Sequence, residues 1–199
     1  MKTITLTENV VVSDPCYQIP TWCQAVIDDV LPGNYNATVL KQDEGDWGTR
    51  CSKIIAIHQD YNYTDKFKWE YYSGSIGVDS GQCGIFSMDS YRNDDHQIEN
   101  GDGDISFFSQ EPWASMRSQD KETGEEWYVK MCSWTLGKNQ WGVYDKGIVS
   151  SSGFGDGSYN LYVARKKKKI IGFIVEFLDD EQRRSLKKIV EEDFFQVQY

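Results

Sequence analysis

The sequence predicts a mainly β (α+β) fold: an antiparallel β-sandwich or partly closed barrel with an N-terminal helix and a C-terminal helix. Short runs rich in Val, Ile, Thr and aromatic residues recur along the chain, separated by turns that contain Gly, Pro, Asp or Ser. Hydrophobic residues make up 39% and aromatic residues 14% of the 199 residues, which is typical of a globular rather than a disordered chain. Two segments, one near each end, space their apolar residues as helices do.

The first predicted elements are a strand and a helix. Residues 4–12 are rich in Val, Ile, Leu and Thr and end at the breaker formed by Ser13, Asp14 and Pro15, so they predict a strand. A helix start follows at Pro20, and apolar residues recur near helical spacing until Pro32. We therefore expect a helix of about three turns after the first strand.

The rest of the chain predicts strands until a final helix. Strand-like runs occupy residues 35–41, 52–58, 66–78, 83–88, 126–136, 141–150, 159–165 and 170–177. A long loop is predicted before residue 104, and the basic run at 165–169 is predicted to be a solvated hairpin tip. No repeat or composition shift marks a boundary, so residues 1–199 are predicted to be a single domain, with 179–199 as a C-terminal helical extension.

Composition excludes several classes of function. The formal charge of −10 repels a phosphate backbone, so nucleic acid is not an expected partner. No apolar window reaches the length of a membrane span. The N-terminus lacks the features of a signal peptide, and the five cysteines form an odd set without CxxC spacing. These features predict reduced thiols and a cytoplasmic location.

Three distant stretches each place one carboxylate in a turn rich in Gly, Pro or Ser. They are residues 13–17 with Asp14, 78–82 with Asp79, and 152–159 with Asp156. A fold that brings strand ends together would gather these turns at one surface. The sequence therefore predicts a ligand-binding site made of Asp14, Arg50, Asp79, Ser80, Gln82, Gly153, Gly155, Asp156 and Gly157.

Each turn also has a purely structural interpretation, which stays open. Asp79 before Ser-Gly suits an Asx-type turn as well as a ligand contact. The alternating glycines at 153–157 could expose amides to an anion or let another backbone approach closely. Converging aspartates would repel one another unless a cation compensated, and Arg50 is the candidate. With only two histidines, no metal site is predicted, and no cofactor is expected unless the aspartates hold a divalent cation.

The same motifs resemble a known family. The DPxY turn, the VDSGQ segment and the SGxGDGxY segment stand here in the same order as in the bacterial and phage family catalogued as domain of unknown function 4241. The resemblance implies a shared fold and a common site for Asp79, Gln82 and Asp156. It implies no established activity. A phage origin, which only this resemblance suggests, implies interference with a host system.

Three functional hypotheses follow from these observations. The leading one is the binding of a small polar or anionic ligand, such as a nucleotide-like molecule, at the Asp- and Gly-rich turns. A second is a metal-dependent or acid/base hydrolase that uses the aspartates. A third is a protein-binding inhibitor without a small-molecule site, whose acidic or aromatic surface occupies a host protein while the motifs serve only the fold. Exposed tryptophans in a contiguous apolar patch would favour this hypothesis. Whether the chain is an enzyme, and its oligomeric state, are left open.

Overall fold

The protein folds mainly into β-strands, as predicted. The computed structural model describes residues 1–61, 67–72, 74–114 and 124–179. In chain order, the strands in these ranges are β1 (Lys2–Leu6), β2 (Val10–Ser13), β3 (Ala25–Ile27), β4 (Gly33–Asp43), β5 (Thr49–His58), β6 (Trp69–Tyr71), β7 (Ile76–Val78), β8 (Gln82–Ser87), β9 (Trp141–Tyr144), β10 (Gly147–Ser151), β11 (Gly157–Lys166) and β12 (Lys169–Glu176). Helix α1 spans Glu125–Thr135, and short 3-10 turns lie at Gly45–Trp47 and Ser106–Ser109.

The strands form two sheets with antiparallel pairing. One is seven-stranded, in the order β1-β4-β5-β12-β11-β6, with β7 also paired to β11. The other is five-stranded, in the order β3-β2-β8-β10-β9. One continuous core contains side chains from both sheets, such as Ile54 and Phe173 from the first and Val12 and Ile85 from the second. The arrangement is therefore a sandwich, and neither sheet closes into a barrel within the described residues.

Strands β2 and β8 of the five-stranded sheet are buried on both faces. Val10 and Val12 belong to the core shared with the seven-stranded sheet. Val11 belongs to a second core with Trp127 and Met131 of α1, because successive side chains of a strand point to opposite faces. The helix thus forms a third layer. This double burial explains why β2 is a continuous apolar run rather than an alternating one.

The predicted N-terminal helix is wrong. Residues 25–27 form strand β3 instead, which pairs with β2 at the edge of the five-stranded sheet. Ala25 and Ile27 are buried, whereas Val26 between them is exposed, so the local pattern has the period of a strand. The hydrogen bonds and burial gained by pairing with β2 outweigh the weak helical spacing of the apolar residues in this segment. The predicted C-terminal helix, at 179–199, lies beyond residue 179 and so outside the described residues.

The strand predicted at 126–136 is also wrong, because this segment is helix α1. Trp127 and Met131 lie four residues apart and face the five-stranded sheet. The helix begins where Asp94, thirty residues earlier, accepts hydrogen bonds from the amides of Gly124 and Trp127. Since these amides have no partner inside the helix, this distant carboxylate stabilises the helix start, together with Glu125 and Glu126 in the first turn.

Most other strand predictions are confirmed, with three splits. Residues 4–12 divide into β1 and β2, which belong to different sheets, residues 66–78 contain both β6 and β7, and residues 141–150 form the hairpin of β9 and β10. The basic run is the tip of the β11–β12 hairpin, as predicted, where Lys167 and Lys168 have positive φ angles. None of the described helices has the length and apolarity needed to cross a membrane.

Replacing Trp127 with Ala should destabilise the protein strongly. The indole is almost fully buried against Phe86, Tyr91 and Tyr144, so its removal leaves a large cavity. We expect a loss of about 3–5 kcal/mol in the free energy of unfolding, measured by urea denaturation. Trp22→Ala is the matched control, because Trp22 is 92% exposed and its loss should cost less than about 0.5 kcal/mol. Equal losses of stability in Trp127→Ala and Trp22→Ala would contradict the packing of helix α1 as a third layer on the five-stranded sheet.

Candidate functional site

The three Asp-bearing turns meet at one end of the sandwich. Strand β2 ends beside the start of β8, where Ser13 pairs with Gly84, and β10 ends beside the same start, where Ser151 pairs with Gln82. On the seven-stranded sheet, β7 ends beside the start of β11, where Val78 pairs with Gly157. Antiparallel pairing therefore brings residues 14–17, 79–82 and 152–157 together, and we name this region the three-turn junction.

Asp14 is the centre of the junction and is completely buried. Its Oδ1 accepts hydrogen bonds from the Cys16 amide (2.8 Å) and the Ser80 hydroxyl (2.6 Å). Its Oδ2 accepts hydrogen bonds from the amides of Asp79 (2.9 Å) and Ser80 (2.7 Å). Four donors satisfy both oxygens, so this carboxylate connects two turns and is not presented to a ligand.

The turn at Asp14 is held by a residue pair that the sequence analysis did not identify. The Tyr91 hydroxyl lies within hydrogen-bond distance of the backbone oxygens of Tyr17 (2.7 Å) and Asp14 (3.0 Å), between which its one proton is shared. Arg92 donates from Nη1 to the backbone oxygens of Pro15 and Cys16. A cation therefore lies at this turn, and it is Arg92 rather than Arg50.

The glycine-rich turn packs against the Ser80 turn through its backbone. The Ser152 amide donates to the Gly81 carbonyl (3.0 Å), and the Gly153 amide donates to the Cys51 carbonyl (3.1 Å). The φ angle of Gly153 is +55°, a left-handed conformation that favours glycine, and a Cβ there would lie a tight 3.0 Å from the Leu178 side chain. Because the Gly155 amide also bonds within the turn, to Ser152, the amides at 153 and 155 are not open to an anion.

Asp79 lies at the surface of the junction. Its Oδ2 accepts a hydrogen bond from the Tyr17 hydroxyl (2.5 Å). Partial desolvation, together with this bond, raises the pKa of the Tyr17 phenol, so the phenol stays a neutral donor at pH 7. Oδ1 of Asp79 accepts no hydrogen bond from the described residues. This oxygen is therefore available to a ligand.

Two recesses flank the 79–82 turn. The first, the aromatic recess, has a volume of about 250 Å³, and its lining includes the polar residues Ser80, Gln82, Cys132 and Thr135 and the aromatic residues Phe107, Phe108, Trp113 and Tyr128. The second, the Asp79 recess, has a volume of about 320 Å³ and is lined by residues that include Tyr17, Thr21, Trp22, Cys23 and Asp79. Neither contains a lysine or arginine among its described lining residues.

Gln82 is the buried polar group of the aromatic recess. Its Oε1 accepts a hydrogen bond from the Thr135 hydroxyl (2.8 Å), which fixes the orientation of the amide. Its Nε2 makes a long contact of 3.4 Å to the Ser80 hydroxyl and a contact of 3.3 Å to the Cys132 sulfur. The first bond is weak because of its length and the second because a thiol sulfur is a weak acceptor, so a ligand with a stronger acceptor can compete for the amide nitrogen.

Of the remaining predicted site residues, Gly157 lines the Asp79 recess together with Asp79, whereas Asp156 and Arg50 line neither recess. Asp156 and Gly157 are exposed. Arg50 lies on β5 next to Cys51, lines neither recess, and its Nε is buried without a hydrogen-bond partner in the described structure. Within the described ranges, no group of three His, Cys, Asp or Glu side chains could hold a metal ion.

The cysteines of the junction are poorly suited to nucleophilic catalysis. Burial raises the pKa of the Cys132 thiol. Burial and the negative charge of Asp14 raise the pKa of Cys16 as well. Since the thiolate is the reactive form of cysteine, these thiols are unreactive at neutral pH.

Comparison with known proteins adds no relative. No family model matches the chain, and neither a curated protein nor a solved structure shows significant similarity to it.

The sequence analysis did not identify the aromatic lining residues of the aromatic recess or Trp22 of the Asp79 recess. Phe107, Phe108 and Trp113 fall in a segment without strand or helix periodicity, and Tyr128 lies on the helix that was predicted as a strand. The density of aromatic residues between 107 and 113, in a polar stretch, is the signal that could have indicated this surface.

Asp14→Asn should weaken the fold. One oxygen becomes an NH₂ group that faces donors, so buried N–H or O–H groups lose their acceptor. We expect a loss of about 3 kcal/mol in the free energy of unfolding, by urea denaturation. Asp156→Asn makes the same chemical change at an exposed position and should change stability by less than about 0.5 kcal/mol. A similar small effect at Asp14 would show that its four hydrogen bonds do not support the junction.

Stability should decrease at alkaline pH. Burial raises the pKa of Cys51 from 9.0 to about 11, so the folded state holds this proton more tightly than the unfolded chain does. The contribution of the Cys51 thiol to the free energy of unfolding is complete below pH 9 and is lost as the pH rises through about 11. The contribution is on the order of 2–3 kcal/mol, measured by urea denaturation between pH 8 and 11. Cys51→Ala should reduce the decrease, and an identical decrease in both proteins would exclude this thiol as a cause.

Proposed function

We propose that the protein binds a small, planar, uncharged polar group, such as a nucleobase-like ring, in the aromatic recess. The observation that supports this most directly is the composition of the recess: its described lining combines aromatic rings with a buried amide and contains no charged side chain. Ligand sites commonly combine apolar walls with a few oriented polar groups.

The aromatic lining residues can receive a flat ligand. The rings of Phe107 and Phe108 lie 4.0 Å apart between centroids, and Phe108 also contacts Trp113 and Tyr128 edge-on. These contacts hold the cluster in place. Trp113 is nevertheless about half exposed, so it presents ring surface for stacking, which is worth about 1–3 kcal/mol for a base.

The polar lining residues can select among flat ligands by hydrogen bonding. Gln82 Nε2 has weak partners, and Oε1 is already occupied by Thr135. A ligand with a hydrogen-bond acceptor, such as a ring carbonyl or ring nitrogen, would therefore find a donor at a fixed position. The volume of about 250 Å³ is below the roughly 300–1,000 Å³ of drug-sized sites, so one ring system fits best.

The charges of the junction favour a neutral over an anionic ligand. Asp79 and Asp156 are its exposed charged groups, the amides of Gly153 and Gly155 are used within the fold, and Arg50 lines neither recess. The hydrolase alternative has less support, because both oxygens of Asp14 are satisfied by four donors. The resemblance to domain of unknown function 4241, a cytoplasmic location and a phage-encoded action on a host remain parts of this proposal.

Titration of the ¹⁵N-labelled protein with adenosine and cytidine, and with their 5′-monophosphates, tests the proposal by NMR. We expect at least one nucleoside to cause saturable shifts in the Gln82 side-chain and Trp113 indole signals. The monophosphate should bind no more tightly than its nucleoside. Gln82→Met, which keeps the side-chain volume, should weaken binding by about fivefold, the equivalent of one hydrogen bond.

Matched variants separate recess effects from general ones. Trp113→Ala should abolish nucleoside binding, whereas Trp22→Ala, on the other side of the 79–82 turn, should leave it unchanged. Gln97→Met repeats the Gln82 change at an exposed position and should also have no effect. The absence of any saturable shift at Gln82 with all four compounds would exclude a nucleobase-like ligand.

Exposed aromatic residues favour a protein partner as a second candidate function. Trp47 and Phe154 are 68% and 58% exposed and contact each other edge-on. Phe154 belongs to the turn that packs on Gly81, and Leu136, which lines the aromatic recess, is also more than half exposed. Large exposed aromatic side chains are enriched at protein interfaces. A partner retained by the wild-type protein and by Trp113→Ala, but lost with Trp47→Ala and Phe154→Ala together, would support this candidate.

A further inference from the structure

The Asp79 recess has a chemistry unlike that of the aromatic recess. It lies on the other side of the 79–82 turn, between the 17–23 segment and the paired ends of β7 and β11, and encloses about 320 Å³. The segment is anchored there by a backbone bond from the Gly77 amide to the Cys23 carbonyl (3.0 Å). The recess therefore has walls from two separate parts of the chain.

Its one charged lining residue among those described is Asp79. The Tyr17 hydroxyl occupies Oδ2 and holds the carboxylate in place, while Oδ1 has no partner in the described structure. No described lysine, arginine or histidine forms an ion pair with Asp79. The recess thus presents a positioned negative charge with one open oxygen.

Trp22 borders the same recess and is 92% exposed. An indole this accessible contributes little to the core, and its ring face is open to a ligand. Tryptophan is the best of the aromatic residues at attracting a cation to its face. A carboxylate and an indole that border one recess are suited to a flat cation, which can pair with the first and stack on the second.

We propose that the Asp79 recess binds a guanidinium group, with the Asp79 carboxylate as its ion-pair acceptor and the Trp22 indole as its stacking surface. The guanidinium group is planar, always charged, and donates parallel hydrogen bonds to a carboxylate. The net charge of −10 attracts such a cation over a longer range. The group can come from an arginine side chain of a peptide or from a small guanidinium compound.

NMR titration with ethylguanidinium and with ethylurea, its uncharged counterpart of similar shape, tests this site. We expect ethylguanidinium to shift the Trp22 indole N–H signal in a saturable way and ethylurea to bind at least about fivefold more weakly. Asp79→Asn keeps an oxygen that can accept from Tyr17 but removes the charge, and should weaken ethylguanidinium binding by about fivefold or more. Raising the salt concentration should weaken it further.

The controls use the same chemical changes elsewhere. Asp95→Asn removes an exposed charge at a residue that lines neither recess, and it should leave binding unchanged. Trp22→Ala should abolish binding, followed through the backbone signals of Cys23 and Asp79, and Trp113→Ala should not. Because nucleosides and ethylguanidinium depend on different tryptophans, failure of one proposal is distinguishable from failure of the other. Thermal unfolding confirms that each variant is folded.

Three results would overturn the guanidinium site: equal affinity for ethylurea, equal effects of Asp79→Asn and Asp95→Asn, or no saturable shift at Trp22. A last comparison identifies the source of the group. If the blocked peptide acetyl-Gly-Arg-Gly-amide binds about tenfold more tightly than ethylguanidinium, the site recognises arginine within a peptide. Equal affinities indicate recognition of a small guanidinium compound. Both of these outcomes support the site itself.

Discussion

The buried carboxylate of Asp14 is the interaction on which the rest of the junction depends. A carboxylate without exposure to water is costly unless every oxygen is paired, and here four donors from residues 16, 79 and 80 supply that pairing. Two of those residues lie more than sixty positions away in the chain. One side chain therefore fixes the position of the 79–82 turn, and this turn separates the two recesses.

Because of this constraint, the residues that can contact a ligand are the neighbours of Asp14 and not Asp14 itself. Asp14 is occupied with the fold, so the groups open to a ligand are its neighbours: the amide nitrogen of Gln82 on one side and Oδ1 of Asp79 on the other. Such a division is common in proteins, where a rigid framework positions turns and the turns contact ligands. The glycine-rich turn belongs to the framework as well, because its Ser152 and Gly153 amides bond to Gly81 and Cys51.

The outer helical layer gives the aromatic recess one of its walls. Helix α1 carries Tyr128, Cys132 and Thr135 to the recess, while its Trp127 is buried against the five-stranded sheet. Its start is stabilised by Asp94 from a distant loop. The recess thus combines a sheet end, a helix and the Ser106–Ser109 turn, and its shape depends on the contacts between them rather than on any one element.

The amino-acid sequence by itself determined that the protein is mainly β, where most strands lie, and that turns at Asp14, Asp79 and Gly153 interrupt them, because these features follow from local composition and spacing. Tertiary structure decided what local patterns leave ambiguous. Pairing with β2 made residues 25–27 a strand, and packing on both faces of α1 made 125–135 a helix despite its aromatic residues. It also decided which carboxylate is buried and which is open, since the donors from Asp79 and Ser80 reach Asp14 only when β8 pairs with β2.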